Sequence, residues 1–217
     1  KTADSLHAQA NDALKAGNAQ QAVGMYREAL RLDPSDPQLH YDFSVELGEV
    51  GDRREQALHL REAIRLDPNL ATAHHQLGLL YVDEGKAGEA ELEFQAALSV
   101  DPEYVDTQVD LGVLYAREGK KGEAGVLFRQ AIENDPKSAA AHANLGLLLA
   151  SQGNNTEAEQ QLNTAVELLG DIRLGTWGTH PDDVILGFIV LYEAWGKLEK
   201  AEEYRRLRAE VTGSRDR

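Results

Sequence analysis

Apolar residues recur along most of this chain at the three- and four-residue spacing of amphipathic helices. Residues 71–104 contain two such stretches in succession, the first with apolar residues at Leu77, Leu80 and Tyr81, the second at Ala90, Phe94, Ala97 and Leu98. Gly85 closes the first stretch, because glycine readily adopts the left-handed conformation that ends a helix. Pro102 closes the second, because proline cannot continue a helix. The pattern predicts a helix, a glycine turn, a second helix and a proline turn, with Asn69 as a candidate cap of the first helix.

The same unit returns every 34 residues. Glycine recurs at this interval at Gly17, Gly51, Gly85, Gly119 and Gly153, and proline at Pro34, Pro68, Pro102 and Pro136. Such a period indicates stacked copies of one supersecondary unit. We predict five regular repeats in residues 1–169, numbered repeat 1 to repeat 5: 3–36, 37–70, 71–104, 105–138 and 139–169. Within repeat 3, Gly78 and Ala90 leave room where the two helices cross, and Phe94 is expected to fill the space towards the neighbouring repeat.

The period breaks after Gly153, because the next matching glycine is Gly196, 43 residues later. The difference corresponds to an insertion of nine residues, which we place in a loop at 170–181 that contains Trp177. A divergent sixth helix pair is predicted over 182–210, with a polar second helix suited to capping the array. Residues 211–217 are expected to form a frayed tail.

The pattern of repeat 4 resembles the tetratricopeptide repeat, with Leu111-Gly112, then Tyr115, Ala124, Phe128, Ala131 and Pro136 in the family's order and spacing. Repeat 3 matches equally closely, and the resemblance covers about 170 of the 217 residues. It implies an all-α fold, a right-handed superhelix of antiparallel helix pairs. It also implies that the first helix of each pair lines a concave groove and the second helix a convex face.

The resemblance makes the groove the expected binding surface for a protein partner. First-helix positions 5, 6, 9 and 12 supply the candidate groove residues, which are Tyr41, Val45, His75, Leu79, Val82, Val109, Val113, Ala143, Asn144 and Leu147. Their apolar character favours a non-catalytic scaffold that binds an extended peptide or a helix, as part of a larger protein or assembly. The alternatives are that the convex face or an end of the array carries the function.

The sequence lacks the carboxylate-binding residues that are known from some members of the family. Some members hold a carboxylate with Lys, Asn and Arg on successive first helices, but the corresponding residues here are His7, Asn11, Asp42, Thr72 and Gln76, so binding of that kind is not expected.

Histidine recurs at the fourth repeat position in His40, His74 and His142, and the simplest interpretation is substitution of a large packing residue. A ladder of metal ligands is disfavoured, because Gln108 interrupts the series and no carboxylate follows in a metal-site pattern.

Catalytic chemistry finds no support in the sequence. The chain contains no cysteine and lacks a glycine-rich phosphate loop, an H-E-x-x-H sequence and a G-x-S-x-G sequence. We therefore predict that the protein is not an enzyme and has no catalytic residue, metal site or cofactor.

The charge narrows the class of partner. The net charge is −15, which argues against nucleic acid and favours a basic or apolar protein or peptide. Residues 197–217 are mildly basic and the rest carry a net −17, so self-assembly into a homo-oligomer or filament is the alternative function.

No apolar run is long enough to enter a membrane as a helix. Because the chain begins at Lys1 and not at Met, we expect a piece of a longer protein, and a cytoplasmic or exported location stays open.

Overall fold

The computed structural model describes residues 2–169 and 181–213, and this part of the chain contains twelve α-helices and no strand. The helices are α1 Ala3–Lys15, α2 Ala19–Leu32, α3 Pro37–Glu49, α4 Arg53–Leu66, α5 Ala71–Asp83, α6 Ala87–Val100, α7 Val105–Arg117, α8 Lys121–Asn134, α9 Ala139–Ser151, α10 Asn155–Leu169, α11 Pro181–Ala194 and α12 Leu198–Gly213. Each odd-numbered helix packs chiefly on the even-numbered helix that follows it. The fold is the all-α helix-pair solenoid that the sequence predicts.

The helices form two compact units. Unit 1 is Lys1–Pro102 and contains α1 to α6, and unit 2 is Glu103–Arg217 and contains α7 to α12. In the sixth pair, α12 continues to Gly213, beyond the predicted helix end at residue 210. Residues 170–180 of the predicted insertion, including Trp177, lie outside the described residues, and so do residues 214–217 of the predicted tail.

The glycine turns have the left-handed backbone conformation on which the prediction was based. Gly85 has a φ of +72°, and the five matching glycines have φ between +74° and +83°. The N–H of Lys86 donates to the carbonyl of Tyr81 at 2.8 Å, and the N–H of Gly85 donates to Val82 at 3.0 Å. These bonds satisfy carbonyls at the end of α5, so the left-handed glycine both ends the helix and reverses the chain.

The start of α5 differs from the prediction. Leu70, not Asn69, occupies the N-cap position, and no side chain caps the helix there. The backbone N–H of Asn69 instead donates to Oδ1 of Asp67 at 2.9 Å. The Asp-Pro turn therefore uses its own aspartate to organise the residues ahead of the helix, and the cap predicted at Asn69 is wrong.

Small residues bring the two helices of a pair together, as Gly78 in repeat 3 demonstrates. A Cβ added to Gly78 would lie 2.6 Å from Cε1 of Phe94, which is closer than carbon atoms can approach. Phe94 is fully buried, and its ring lies against Gly78 in its own repeat. That it also fills the space towards the neighbouring repeat stays a prediction. Gly112 with Phe128 and Gly146 with Leu162 reproduce the arrangement.

Candidate partner-binding surface

We define the first-helix face as the side of α1, α3, α5, α7, α9 and α11 that bears repeat positions 2, 5, 6, 9, 12 and 13. The ten candidate groove residues divide by burial. Val45 is exposed, and six others are half-buried, namely Tyr41, Leu79, Val82, Val113, Asn144 and Leu147. His75, Val109 and Ala143 are buried, although they share the fifth repeat position with Tyr41. These three side chains belong to the core and leave almost no surface for a partner.

The first-helix face of unit 1 is polar and internally paired. Nε2 of His7 lies 2.7 Å from Oδ2 of Asp42, and Nε2 of Gln38 donates to the other carboxylate oxygen, also at 2.7 Å. The hydroxyl of Tyr26 donates to Oδ1 of Asn11 at 2.5 Å. Burial, together with the charges of Asp42 and Glu46, raises the pKa of Tyr26 to about 12, so the hydroxyl stays protonated and remains a donor.

These contacts show why the first-helix face of unit 1 is not suited to bind a carboxylate. The position where a neutral donor would bind an incoming carboxylate holds Asp42, whose oxygens already accept from His7 and Gln38. An incoming carboxylate would meet the negative charge of Asp42 at close range. Unit 1 therefore offers carboxylate and amide oxygens on this face, which suit the donors of a basic group.

In unit 2 the first-helix face carries the charged residues Asp106, Asp110 and Arg117 on α7, whereas α9 lacks charge altogether. Ala139–Ser151 contains no Asp, Glu, Lys or Arg. Val113 packs against the core of the unit while keeping part of its surface accessible, and Leu147 is likewise half-buried. Nδ2 of Asn144 donates to the Ala140 carbonyl at 2.9 Å, so the side-chain oxygen of Asn144 is the atom left to accept a hydrogen bond.

A second apolar feature, which sequence reasoning missed, lies on the second helices. Leu58, Leu92 and Val126 all occupy position 22 of their repeats and are 59%, 67% and 54% exposed. Their 34-residue spacing is the signal that could have revealed them. Each is a solvated apolar side chain on a second helix, so it provides a matched comparison for residues of the first-helix face.

The recurring histidines have polar contacts that the packing interpretation did not anticipate. In His40, His74 and His142, Nε2 lies 3.1–3.2 Å from the carbonyl of the proline six residues earlier. Nδ1 faces the residue 19 positions later, which is His59, Glu93 and Gln161 respectively. Each ring thus joins the preceding proline turn to the second helix of its own repeat. In the described ranges, no three His, Cys, Asp or Glu side chains gather in a way that could hold a metal ion.

The described helices also bear on membrane insertion. Not one helix in residues 2–169 and 181–213 combines the length and the apolarity that crossing a bilayer requires.

Comparison with solved structures places the fold among known repeat proteins. The structure of Pseudomonas aeruginosa pilF is 18% identical with a TM-score of 0.79, covering 96% of this chain and 91% of its own. PilW, described as a widely conserved type IV pilus biogenesis factor, is 18% identical with a TM-score of 0.79, covering 97% of this chain and 94% of its own. YrrB, described as a TPR protein with an unusual peptide-binding site, is 23% identical with a TM-score of 0.65, covering 86% and 91%. At these identities the likeness shows a shared fold.

The sequence comparisons identify the family. A comparison with curated protein sequences gives no match. One tetratricopeptide repeat family model matches residues 7–71 and 75–127, and a second matches residues 127–160. The first alone spans more than half of the 217 residues, and it agrees with the glycine turns and helix pairs described above. This chain belongs to the tetratricopeptide repeat family.

Proposed function

We propose that this chain is a non-catalytic interaction module that binds an extended peptide or an amphipathic helix of a protein partner on the first-helix face of unit 2. Membership of the family makes it a protein-interaction scaffold in general terms. The observation that carries the finer proposal is the uncharged helix α9, where Asn144 and Leu147 stay accessible. Eight of the thirteen residues of α9 are buried by neighbouring helices, which accounts for its lack of charge, and its accessible residues Asn144 and Leu147 give a partner an uncharged surface to contact.

The first-helix face of unit 1 is proposed as a second contact surface with a different chemistry. Val45 is exposed, and Leu79 and Val82 are half-buried, so apolar contacts are available there too. Asp42 adds a carboxylate. Apolar side chains would supply most of the binding free energy in both units, and acidic groups would select the partner.

The charge of the chain favours a basic or apolar partner. Unit 1 has nine Lys and Arg against eighteen Asp and Glu, and unit 2 has thirteen against nineteen. Both units repel acidic segments and attract basic ones over about a Debye length. Association with a basic partner is therefore expected to slow as salt concentration rises.

The proposal is tested with Val113→Glu combined with Leu147→Glu. Two carboxylates in place of apolar side chains on this face would have to be desolvated beneath a bound peptide, so capture of a partner from an extract of the source cells should be lost. The control is Val126→Glu, which places one glutamate on the exposed second-helix side of the same unit. Far-UV circular dichroism checks that both variants keep the wild-type helix content.

A photo-crosslinking residue makes the test specific for the surface. Placed at position 113 it should join to the captured partner, and placed at position 126 it should not. Crosslinking at position 126 together with unchanged capture by the double variant would move the binding surface to the second helices and overturn the proposal.

Self-association is the second candidate, and the terminal groove of unit 2 favours it. We use this name for a groove of about 1190 Å³ between α10 and α12 that is lined by Asn163, Val166, Leu198, Tyr204 and Leu207 together with charged residues of α12. Leu198 is strongly exposed at its edge. Light scattering across protein and salt concentration should show oligomers that Leu198→Glu weakens. A monomer under every condition contradicts this candidate.

A further inference from the structure

Two histidine rings face each other in repeat 2. Nδ1 of His40 lies 2.8 Å from Nδ1 of His59, and the ring centroids are 5.0 Å apart. His40 lies on α3 and is buried, and His59 lies on α4 with little of its side chain exposed. The contact therefore joins the two helices of the repeat through one nitrogen from each ring.

The hydrogen bonds determine where the protons lie. Nε2 of His40 is 3.1 Å from the carbonyl of Pro34, and only an N–H can bond to that oxygen. In the neutral ring Nδ1 of His40 is then the acceptor, and the N–H of His59 Nδ1 donates to it. A first added proton can reside on Nε2 of His59 without breaking this bond. A second proton would place an N–H on both Nδ1 atoms, and these two N–H groups would point at each other across 2.8 Å.

The equivalent histidines elsewhere have partners that avoid this conflict. His74 Nδ1 lies 2.7 Å from a carboxylate oxygen of Glu93, which accepts from the protonated ring. His142 Nδ1 lies 2.6 Å from the side-chain amide of Gln161, which can accept from a protonated ring or turn to donate to a neutral one. Only the repeat 2 pair, among these three, has a partner that becomes a cation itself.

The charged groups around the pair do not remove the conflict at Nδ1. Oε1 of Glu55 lies 3.9 Å from Nε2 of His59, on the far side of the ring from His40. The guanidinium of Arg27, on α2, is bound to the other oxygen of Glu55 at 2.7 Å and adds positive charge near the pair. Glu62 acts on both rings, but its carboxylate is bound to Arg65 at 2.6 Å. Phe43 closes the remaining side with its ring centroid 4.7 Å from that of His59.

We propose that the His40–His59 pair is an acid-sensitive latch, which holds α3 against α4 and the Pro34 turn while at most one ring is protonated and opens when both rings are. Opening would loosen the part of the first-helix face that α3 carries, including Tyr41, Asp42 and Val45. The latch is independent of the proposed binding of a peptide, because it is defined by the stability of repeat 2 alone.

The direction of the pH dependence follows from the proton count. Burial and the neighbouring His40 lower the pKa of His59, so the folded state favours its neutral form. Its stabilising contribution is complete above the ordinary histidine pKa of about 6.5 and is lost as pH falls through the lower folded value. The His74 pKa is raised by its hydrogen bond to Glu93, so that contribution is present below about 6.5 and lost as pH rises. The two contacts respond to acid in opposite directions.

The test measures amide hydrogen exchange of α3 and α4 in the full chain between pH 7.5 and 5, corrected for the intrinsic effect of pH. Because the opened repeat binds one more proton than the closed one, protection should fall by up to about tenfold per pH unit in the pH range where that proton binds. His59→Gln reproduces the pair of repeat 5 and should remove this loss, and His59→Glu reproduces the pair of repeat 3 and should reverse it. Exchange in α9 and α10 is the internal reference.

If a His59 variant does not fold, the proposal can be tested by building the same histidine pair in repeat 5. Gln161→His places a second histidine opposite His142 and should give α9 and α10 the acid sensitivity that they otherwise lack. Wild type and His59→Gln losing protection equally in acid would overturn the proposal. So would an unchanged acid response of α9 and α10 in Gln161→His.

Discussion

At the scale of single residues, an unusual side chain in a regular repeat position changes the local balance of burial and hydrogen bonding. Thr107 occupies the third position of repeat 4, where repeats 2, 3 and 5 have Leu39, Ala73 and Ala141. Its side chain is fully buried, and its hydroxyl has no hydrogen-bond partner in the described structure. Thr107→Val keeps the shape and removes the unpaired hydroxyl, so it should raise the free energy of unfolding by about 1 kcal/mol in urea denaturation.

Thr164 provides the comparison for this change. Its hydroxyl donates to the carbonyl of Gln160 at 3.1 Å, and the side chain is only half-buried. Thr164→Val should therefore give no gain in stability. A destabilising effect of Thr107→Val would mean that the hydroxyl finds a partner in solution.

Glu46 is a second residue of an unusual type for its repeat position. It is only 5% exposed, and repeats 3, 4 and 5 have a buried leucine at the same position. One carboxylate oxygen is buried without a partner, and burial together with Glu49 raises the pKa of the group. A raised folded pKa means that this group stabilises the fold in acid and loses that contribution as pH rises. Glu46→Leu should therefore stabilise the protein by about 1–2 kcal/mol near pH 7, and by less near pH 4.

Thermal unfolding at the two pH values measures the difference between Glu46→Leu and wild type. Glu28→Leu is the control, because Glu28 is exposed and its removal should give no pH-dependent gain. An equal effect of Glu46→Leu at both pH values would contradict burial of the Glu46 carboxylate.

At the scale of the helix pair, stability depends on a glycine that admits an aromatic ring. Gly78→Ala would force its Cβ against Phe94, whose ring is fully buried and cannot move aside freely. We expect a loss of about 1–3 kcal/mol in the free energy of unfolding. Gly24→Ala is the matched change, since Gly24 is in the middle of α2 with no atom within 4 Å of the added Cβ. There the better helix propensity of alanine should give a gain of up to about 1 kcal/mol.

Urea denaturation of the two variants makes the comparison within unit 1. If both changes destabilised equally, the cost would arise from the helices themselves and not from contact with Phe94. If Gly78→Ala were neutral, the pair would have to separate at little cost, which the burial of Phe94 makes unexpected.

The helix pairs and their turns could be predicted from the sequence because their causes are local. Gly85 and Pro102 act through backbone sterics that need no knowledge of the rest of the chain. The candidate surface was less predictable, because exposure at the fifth repeat position depends on the neighbouring helices. Tyr41 keeps accessible surface there, whereas Val109 and Ala143 are buried in one cluster of unit 2.

The histidine contacts could not be predicted for a related reason. The partner of each ring lies 19 residues away on the second helix, and the three partners differ in kind. Repeat position alone therefore identifies where a histidine lies but not its protonation. Asn69 failed as a predicted cap because the N-cap position falls one residue later, on Leu70.

At the scale of the whole molecule, the two units differ in ways that separate probes can follow. Unit 1 contains the His40–His59 pair, and both tryptophans are in residues 103–217. Trp195 is half-buried beside Tyr192 in unit 2, with Nζ of Lys197 3.1 Å from its ring centroid. Tryptophan fluorescence therefore reports on unit 2, while far-UV circular dichroism reports on the helices of both units.

This division gives a prediction for urea unfolding of the wild-type chain at pH 7.5 and pH 5. At pH 5 the transition followed by circular dichroism should begin at lower urea than the tryptophan transition, because acid weakens repeat 2 and leaves the surroundings of Trp195 unchanged. The two probes should lie closer together at pH 7.5, and His59→Gln should bring them together at pH 5. Equal acid shifts of both probes in wild type and in His59→Gln would show that acid acts throughout the array, since the latch would then have no local effect on repeat 2.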